Sequence, residues 1–304
     1  MSAKAVNPKR ILVVGDCLFE IVVRSSRSED HLSDLDFNST ISMHIGGAAG
    51  GVAMMLAQMG ATPELLSVIG SDEYAKKIIQ EYRALSIGTS FLLPVLERTP
   101  VCVSILGESE RSIFIDQRSL PVKLPTNEIE RWMRRHTSCV YATAVPWARS
   151  AVIAASNADH RVVVDLQTCA EDGDLDEFRD SASIILHSGA LIGEERGLLL
   201  SRELSSQYAN DVILSVGARG NWLVTKAGKE ASWYPQLDTV SIPDGHAIGA
   251  GDAFAAGFVQ AYAERKSLAA CVISGQSTAA RMLRIGYYRV DKHFQAKEGR
   301  WARR

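Results

Sequence analysis

The stretch "HAIGAGDAFAAGF", residues 246–258, contains a Gly-Ala-Gly-Asp turn that leads into a run of small residues. Glycines at a helix start allow a ligand to approach closely, and the unpaired backbone N–H groups there attract anions. Asp252 has two interpretations in this setting. It is either a common first-turn capping residue or a base that takes a proton from a hydroxyl. The stretch alone supports both interpretations equally.

The composition indicates an ordinary globular protein. The chain has 304 residues, of which 46% are hydrophobic and 22% are charged, and its formal net charge of −2 argues against nucleic-acid or anionic-membrane binding. The N-terminus lacks the apolar segment of a secretory signal, and no run approaches 18 apolar residues. The five cysteines lie far apart, which suits reduced thiols. We therefore expect a cytoplasmic protein without nucleic-acid or membrane partners.

Strand and helix patterns alternate along most of the chain. The run "RILVVGD", residues 10–16, is β-branched and ends in Gly-Asp, as buried parallel strands often do. Helical patterns at 126–136, 147–158, 174–181 and 194–208 lie between further strand patterns. This alternation predicts an α/β fold of three layers, with a mainly parallel central sheet and helices on both faces.

Two segments, residues 17–45 and 97–118, contain strand patterns without helices. The second segment is a hairpin pattern around Gly-Glu-Ser-Glu. We expect the two segments to pair into a small β-sheet lid over one edge of the main sheet. Because the chain shows no linker, repeat or low-complexity run, residues 1–304 are interpreted as one domain that includes this lid.

Two further glycine turns are candidates for ligand contact. "HIGGAAGGVA", residues 44–53, opens a helix, but its spacing differs from the Gly-x-Gly-x-x-Gly of dinucleotide sites, so a tight turn and another ligand-facing turn both remain open. "LSVGARGNW", residues 214–222, ends a strand with Ser215 and two exposed glycines. This turn is either a phosphate-binding loop or a simple strand-to-strand connection.

Together and in this order, these turns resemble the PfkB (ribokinase-like) carbohydrate kinase family over residues 10–286. "GAGDAFAAGF", residues 249–258, is close to the family's second signature, and "GGAAGGVAMMLAQMGA", residues 46–61, follows the first. "LSVGARG" looks like the family's nucleotide-binding Thr-x-Gly-x-x-Gly, with Ser215 in the threonine position. The two β-only segments fall where the family has its lid.

The resemblance implies a kinase that uses ATP and Mg²⁺ to phosphorylate a hydroxyl of a sugar or sugar-like molecule. It implies that Asp252 is the general base and that the N–H groups of Gly249, Ala250 and Gly251 form the anion hole. The remaining implied contacts divide between nucleotide and substrate. The nucleotide contacts are Ser215, Gly217, Gly220 and Gln276, and the substrate contacts are Asp16, Glu20, Gly46, Gly47 and Gly51.

The sequence departs from the family pattern around the substrate. Gly51 stands where the family usually has a sugar-binding asparagine, and Glu20 stands where it has an aspartate. Gln276 replaces an asparagine near the adenine. Because polar contacts of this kind carry much of specificity, no standard sugar preference transfers to this chain.

The metal and cation motifs also differ. Glu194 or Glu195 is the candidate acid for Mg²⁺, but neither is preceded by the asparagine of the family's Asn-x-x-Glu. The Asp-Thr-x that the family often associates with a monovalent cation reads His246-Ala247-Ile248, which makes such a cation doubtful. Two alternative functions therefore stay open: a nucleoside kinase, and a catalytically weak member that binds a metabolite or nucleotide.

The resemblance also makes a homodimer through the lid plausible, because lid sheets of this family often pair between chains. Arg111 and Arg118 lie on or near the lid, where they either contact an anionic substrate group or remain solvated. The basic tail at 292–304 is either a frayed end or a binding arm.

Overall fold

The protein is described from a computed structural model that covers residues 10–24, 39–107, 111–116, 122–225, 227–237, 240 and 247–286. Two sheets and eight helices are found in these ranges. The strands are β1 (Arg10–Val14), β2 (Leu18–Arg24), β3 (Thr40–Gly46), β4 (Thr62–Ile69), β5 (Gly88–Pro94), β6 (Val101–Leu106), β7 (Arg111–Asp116), β8 (Cys139–Thr143), β9 (Val162–Asp165), β10 (Ile184–Ser188), β11 (Asp211–Ser215), β12 (Gly220–Thr225) and β13 (Glu230–Pro235). The helices are α1 (Ala48–Gln58), α2 (Glu73–Ala84), α3 (Thr126–His136), α4 (Arg149–Asn157), α5 (Asp176–Ser181), α6 (Glu194–Tyr208), α7 (Ala250–Ala263) and α8 (Leu268–Ile285).

The larger sheet has nine strands in the order β13-β12-β11-β10-β9-β8-β1-β4-β5. The strands from β11 to β5 run parallel, whereas β12 and β13 are added as antiparallel strands at one edge. The predicted mainly parallel sheet is thus confirmed. The stretch "NWLVTKAGKEASWYP", residues 221–235, also has a hairpin pattern, and β12 and β13 form this hairpin. Strand β5 was not predicted from the sequence.

Alternating strand residues face opposite layers, as the two-residue period of a strand requires. In β1, Ile11 and Val13 pack into the core with α1, α2, α7 and α8, while Leu12 and Val14 pack into the core with α3 to α6. All four side chains are fully buried. Both faces of the sheet are therefore covered, which explains why its strands read as continuous apolar runs.

The smaller sheet, called the lid below, has four strands in the order β3-β2-β6-β7. Strands β2 and β6 run parallel at its centre, and β3 and β7 are antiparallel edge strands. The two β-only segments of the sequence therefore pair as expected. Residues 25–38, Arg118, His246 and the basic tail lie outside the described residues.

The helix predictions agree closely with the structure. The segments 126–136 and 194–208 have the predicted bounds, and the others begin or end within three residues of them. Among the described residues, every helix is too short or too polar to span a lipid bilayer.

Candidate active site

Polar residues gather at the carboxyl edge of the main sheet. Ser215 ends β11, Ser188 ends β10, Asp165 ends β9 and Thr143 ends β8, while Asp16 lies just beyond β1. These five strands are neighbours in the sheet, so their ends form a continuous row. In open α/β sheets, this edge is where ligands bind.

A cavity of about 410 Å³ opens above this row, and we call it the acidic cavity. Its lining comes from the strand ends, from the start of α7 and from the lid. Four carboxylate side chains from separate parts of the fold are among the described residues that line it. These are Asp16, Glu20, Asp165 and Asp252.

A second cavity of about 340 Å³ lies beside the first, and we call it the glycine cavity. Its lining includes Gly217 and Arg219 of the turn between β11 and β12, and Ala250 of α7. Some residues line both cavities. They are Ser215, Ala247, Gly251 and Phe254. The two cavities therefore share a wall at the N-terminus of α7.

The backbone at the start of α7 exposes its N–H groups. Gly249 precedes the helix with φ 73°, a left-handed conformation that favours glycine, and its carbonyl accepts from Ala253 N–H at 2.9 Å. The Ala250 N–H donates to the Ala247 carbonyl only at a long 3.3 Å. The first N–H groups of a helix lack intrahelical acceptors and carry the positive end of its dipole. This terminus therefore offers an anion site beside both cavities.

Asp252 lies in the first turn of α7, is half-buried and lines the acidic cavity. Its charge is close enough to the hydroxyl of Tyr141 to raise the pKa of that phenol, together with the larger effect of burial and the charge of Asp165. Asp16, Asp165 and Asp252 thus form one electrostatic group around Tyr141.

Asp16 is held by two uncharged donors. The Thr143 hydroxyl donates to its Oδ1 at 3.2 Å, and the Ala48 N–H at the start of α1 donates to its Oδ2 at 3.3 Å. Burial raises the pKa of Asp16, and these hydrogen bonds lower it only in part. The side chain is thereby oriented by the fold before any ligand binds.

Asp165 is a second carboxylate with a strongly shifted pKa. Its Oδ1 accepts from the Gln167 N–H at 2.8 Å and its Oδ2 from the Tyr141 hydroxyl at 3.0 Å. Burial nevertheless raises the pKa of Asp165 to about 6, and the charge of Asp16 adds to this effect. Sequence reasoning missed this residue. The signal was present, because "RVVVDLQ" places a carboxylate where a buried parallel strand ends.

Glu20 enters the acidic cavity from the lid. The Ser104 hydroxyl of β6 donates to its Oε1 at 2.7 Å, and the residue is only 9% exposed. A Cβ at Gly46 would lie 2.9 Å from Glu20 Oε2, so the glycine leaves room for this carboxylate. The lid also contributes Arg111 and Cys102 to the lining.

The first glycine turn serves mainly to bring the chain close to β1. Gly47 has φ 90°, and a Cβ there would lie 2.6 Å from the Asp16 carbonyl oxygen, so only glycine fits. Gly47 lines the acidic cavity, whereas Gly46 and Gly51 do not. Gly51 is buried in the first turn of α1, with its N–H donating to the Gly47 carbonyl at 2.7 Å.

The second glycine turn lies between β11 and β12. It connects two antiparallel strands, and Gly217, with φ 55°, also lines the glycine cavity. Gly220 has φ 142°, and a Cβ there would lie 2.2 Å from the Tyr234 carbonyl oxygen, so its contribution is to strand packing. Gln276 is buried in α8, where its Nε2 donates to Asn221 and to the Tyr234 carbonyl, and it does not line the cavity.

The two glutamates proposed for the metal lie at the start of α6, outside the described linings of the acidic and the glycine cavity. Glu194 Oε1 accepts from the Trp222 indole at 2.7 Å, and its Oε2 pairs with Arg219 at 2.6 Å. Both oxygens thus have protein partners. Within the described ranges, no cluster of three or more His, Cys, Asp and Glu side chains is arranged to hold a metal ion.

Comparison with solved structures identifies the fold. A microbiome-derived acarbose kinase aligns over 90% of this chain and 92% of its own, with a TM-score of 0.80 and 21% identity. The ribokinase of Arabidopsis thaliana, solved with ribose and ATP, aligns over 94% of this chain and 99% of its own, with a TM-score of 0.71 and 18% identity. The fold is therefore ribokinase-like.

Sequence comparison identifies the family. The profile described as pfkB family carbohydrate kinase matches residues 8–285, and the chain belongs to this family. The 2-dehydro-3-deoxygluconokinase of Bacillus subtilis is 23% identical over 267 residues, which cover 80% of this chain and 81% of that protein. The chain is thus a carbohydrate kinase, and the kinases of this family use ATP.

Proposed function

We propose that the chain transfers the γ-phosphoryl group of ATP to a hydroxyl of a sugar or sugar-like molecule. In this proposal ATP occupies the glycine cavity and the acceptor occupies the acidic cavity. One observation carries the proposal: Gly251 at the start of α7 lines both cavities, and Asp252 beside it lines the acidic cavity. The γ-phosphoryl group would therefore meet the acceptor at a helix N-terminus.

The N–H groups of Gly249, Ala250 and Gly251 act in this proposal as the anion hole. They hold the phosphoryl oxygens as negative charge redistributes in the transition state, and they need no reorganisation because the helix already fixes them. The long Ala250–Ala247 contact of 3.3 Å supports this role, since a phosphate oxygen is the better acceptor for that N–H.

Asp252 acts as the general base. As the acceptor hydroxyl attacks, a bond forms between its oxygen and the γ-phosphorus, and the bond from that phosphorus to the β–γ bridging oxygen breaks. The hydroxyl proton passes to the Asp252 carboxylate, and ADP leaves with the bridging oxygen. The half-buried position of Asp252 in the cavity wall supports this assignment.

The donor set is compatible with Mg²⁺ brought in by ATP. Mg²⁺ takes oxygen ligands, commonly phosphates and water with one or two carboxylates. Asp165 and Asp252 offer carboxylate oxygens in the acidic cavity, whereas both Glu194 oxygens already bind Trp222 and Arg219. We propose Asp165 as the protein's main contribution to the ion. When bound, Mg²⁺ neutralises phosphate charge in the transition state.

The substrate side of the acidic cavity favours a sugar over a nucleoside. Asp16 and Glu20 present carboxylate oxygens that accept from hydroxyl groups. Phe254 is the only phenylalanine, tyrosine or tryptophan among the described residues that line the acidic cavity, and it also lines the glycine cavity. A nucleobase would find little surface for stacking.

The test is ADP release by the purified protein with Mg-ATP and a panel of sugars, sugar acids, polyols and nucleosides. Asp252→Asn should lower kcat for the best substrate by about 10²- to 10⁴-fold, the usual contribution of a general base. Asp180→Asn makes the same chemical change on an exposed residue of α5 and should leave kcat unaltered. Full activity of Asp252→Asn with native folding would remove Asp252 from the mechanism.

We also propose that the chain forms a homodimer through the outer face of the lid. The strand register places Met43, Ile21, Val103 and Phe114 in one row across the four strands. Met43 is 63% exposed and Phe114 is 61% exposed, and Ile41 on the same face is 67% exposed. A continuous apolar face of this kind is typical of a protein–protein interface.

Light scattering after gel filtration tests this dimer. Phe114→Lys places a charge on the outer face of the lid and should convert the dimer to a monomer. Leu199→Lys introduces the same charge at a 52% exposed position on α6 and should leave the oligomeric state unchanged. A native chain that elutes as a monomer at high concentration would refute the proposal.

The cysteines support a cytoplasmic location, which we propose as well. All five are free, and four of them are buried. Free thiols persist in reducing compartments. Fractionation of cells that express the protein tests this location.

A further inference from the structure

We infer that Tyr141 is a positioning residue of the metal site, which holds the carboxylate of Asp165 in the orientation that contacts Mg²⁺. The inference rests on the proposed function, in which Asp165 is the protein's main contribution to the ion. It follows from the register of β8 and β9, from the hydrogen bonds of Asp165, and from a second pair of residues on the same strand.

The register of the main sheet places Tyr141 below Asp165. Strand β8 lies between β1 and β9, and in its parallel pairing with β9 Tyr141 is opposite Val163 and Thr143 is opposite Asp165. Side chains two residues apart on a strand share a face, so Tyr141 lies on the face of Asp165, about 6.6 Å further from the carboxyl edge. The tyrosine ring spans this distance and places its hydroxyl at the edge.

Both oxygens of the Asp165 carboxylate are held from within the protein. The Tyr141 hydroxyl donates to Oδ2 at 3.0 Å, and the Gln167 N–H donates to Oδ1 at 2.8 Å. Two donors on opposite oxygens fix the rotation of the group about its last bond. Because each carboxylate oxygen accepts more than one bond, both oxygens keep the capacity to contact a cation.

Tyr141 acts on the acidic cavity without entering it. The residue is fully buried and belongs to the core that the main sheet forms with α1, α2, α7 and α8. It is not among the described residues that line the acidic cavity, whereas Asp165 is. The hydroxyl therefore reaches an occupant of this cavity through the carboxylate that it holds.

Core packing alone does not call for a tyrosine at this position. Phenylalanine would fill nearly the same volume, whereas a buried phenol requires a hydrogen-bond partner. The partner of Tyr141 is the carboxylate of Asp165, which lines the acidic cavity. The phenol is an uncharged donor, so it orients the carboxylate and leaves the negative charge available to a metal ion.

The next residue on this face of β8 repeats the arrangement towards β1. The Thr143 hydroxyl donates to Asp16 Oδ1 at 3.2 Å, and Asp16 lies just beyond the end of β1. Thr143 is likewise fully buried and outside the described lining of the acidic cavity. Thr143 thus provides an internal comparison for Tyr141, because Asp16 is a proposed acceptor contact and not a proposed metal contact.

The expected effect on metal affinity is large for the loss of one hydroxyl. Removing a group that hydrogen-bonds a metal ligand typically lowers metal affinity or activity by about 10- to 100-fold. Tyr141→Phe removes the hydroxyl and keeps the ring in the core. We therefore expect the affinity of the protein–nucleotide complex for a divalent ion to fall by about tenfold.

The experiment measures Mn²⁺ binding by electron paramagnetic resonance, with Mn²⁺ in place of Mg²⁺ and with a β,γ-methylene analogue of ATP that does not transfer its phosphoryl group. Calorimetry in the presence of EDTA measures the binding of metal-free ADP. Tyr141→Phe should lower the Mn²⁺ affinity by about tenfold and change the ADP affinity by less than about twofold. An unchanged Mn²⁺ affinity, or an equal loss in the binding of metal-free ADP, would overturn the inference.

Two variants are matched controls. Tyr208→Phe removes a phenol hydroxyl that donates to Asp176 Oδ1 at 2.6 Å, outside the described linings of both cavities, and should leave the Mn²⁺ affinity unchanged. Thr143→Val removes the hydrogen bond to Asp16 and should also leave it unchanged. A loss in Thr143→Val equal to that in Tyr141→Phe would overturn the assignment, because the effect would then belong to the edge of the sheet as a whole.

A double-mutant cycle tests whether Tyr141 acts through Asp165. Asp165→Asn should itself lower the Mn²⁺ affinity, and the addition of Tyr141→Phe should cause no further loss. A further loss in the double variant would overturn the inference. This comparison needs only Asp165→Asn and the double variant, in which the buried charge is absent, so it stays available if Tyr141→Phe alone does not fold.

The same measurements separate the inference from the proposed function. An unchanged Mn²⁺ affinity in Asp165→Asn would refute the proposed metal contact and the inference with it. A loss in Asp165→Asn without a loss in Tyr141→Phe would overturn the inference and leave the proposed function intact.

Discussion

Gly251→Ala should lower the activity of this protein without lowering its stability. A Cβ built at Gly251 has no heavy atom within 4 Å, and the residue is in the first turn of α7 without a positive φ. Alanine also has a higher helix propensity than glycine, by up to about 1 kcal/mol in a helix interior. The thermal midpoint of this variant should therefore equal or slightly exceed that of the native protein.

The same methyl group would enter the wall that the two cavities share. A carbon atom keeps a phosphate oxygen at about 3.5 Å, whereas an N–H donor holds it at about 2.9 Å. The phosphoryl group would therefore shift by roughly 0.5–1 Å, and a displacement of about 1 Å is enough to lower the rate by about 10²-fold. We expect kcat/KM to fall by about 10²-fold.

The assay measures ADP release at varied ATP and varied acceptor, with thermal unfolding recorded on the same preparations. Gly173→Ala is the matched control, because a Cβ there also meets nothing within 4 Å and the residue lies in neither cavity. Native kcat/KM in Gly251→Ala would refute the placement of the γ-phosphoryl group at this wall. A loss of activity that accompanies a lower thermal midpoint would refute the steric reasoning.

Three further predictions concern stability and the nucleotide. The pKa of Asp165 is about 6 in the folded protein and 3.8 in the unfolded chain, so its ionised form destabilises the fold. Asp165→Asn should therefore raise the unfolding free energy above pH 6 by up to about 3 kcal/mol, and by less where solvent in the cavity screens the charge. Denaturant titrations should show this gain disappear as the pH falls towards 4, and a gain that persists there would contradict it. Gly257→Ala should lower the unfolding free energy by about 1–3 kcal/mol, because its Cβ would lie 2.4 Å from Thr278 Oγ1 between α7 and α8. Glu194→Gln should raise the KM for ATP severalfold by releasing Arg219 at the glycine cavity, with little effect on the thermal midpoint; an unchanged KM would show that Arg219 does not contact the nucleotide.

Local patterns in the sequence were sufficient for most of the fold. Helix segments 126–136 and 194–208 and the two β hairpins follow from periodicity and turn chemistry, which are properties of neighbouring residues. Strand β5 was not predicted because "GTSFLLP" is short and lies at the edge of the sheet, where the alternation of polar and apolar residues is weak.

Only some of the predicted site residues line the acidic cavity. Asp16, Glu20, Gly47 and Asp252 all line the acidic cavity, where the proposed substrate and catalytic contacts would lie. The other predicted residues are occupied by contacts within the protein, which depend on how the chain packs and not on the local sequence. Glu194 is engaged by Trp222 and Arg219, Gln276 by Asn221 and Tyr234, and Gly51 is buried within α1.

The sequence by itself determined the family, the layered α/β fold and the turn that begins α7, because these depend on motifs and periods within short stretches. Only the tertiary structure brought Asp165 beside Asp16 and gave Gly251 a place in two cavities. The physical reason is strand order. Neighbours in the sheet come from distant parts of the chain, and their pairing decides which carboxyl ends converge. The charge of the acidic cavity is therefore a property of the assembled sheet and lid.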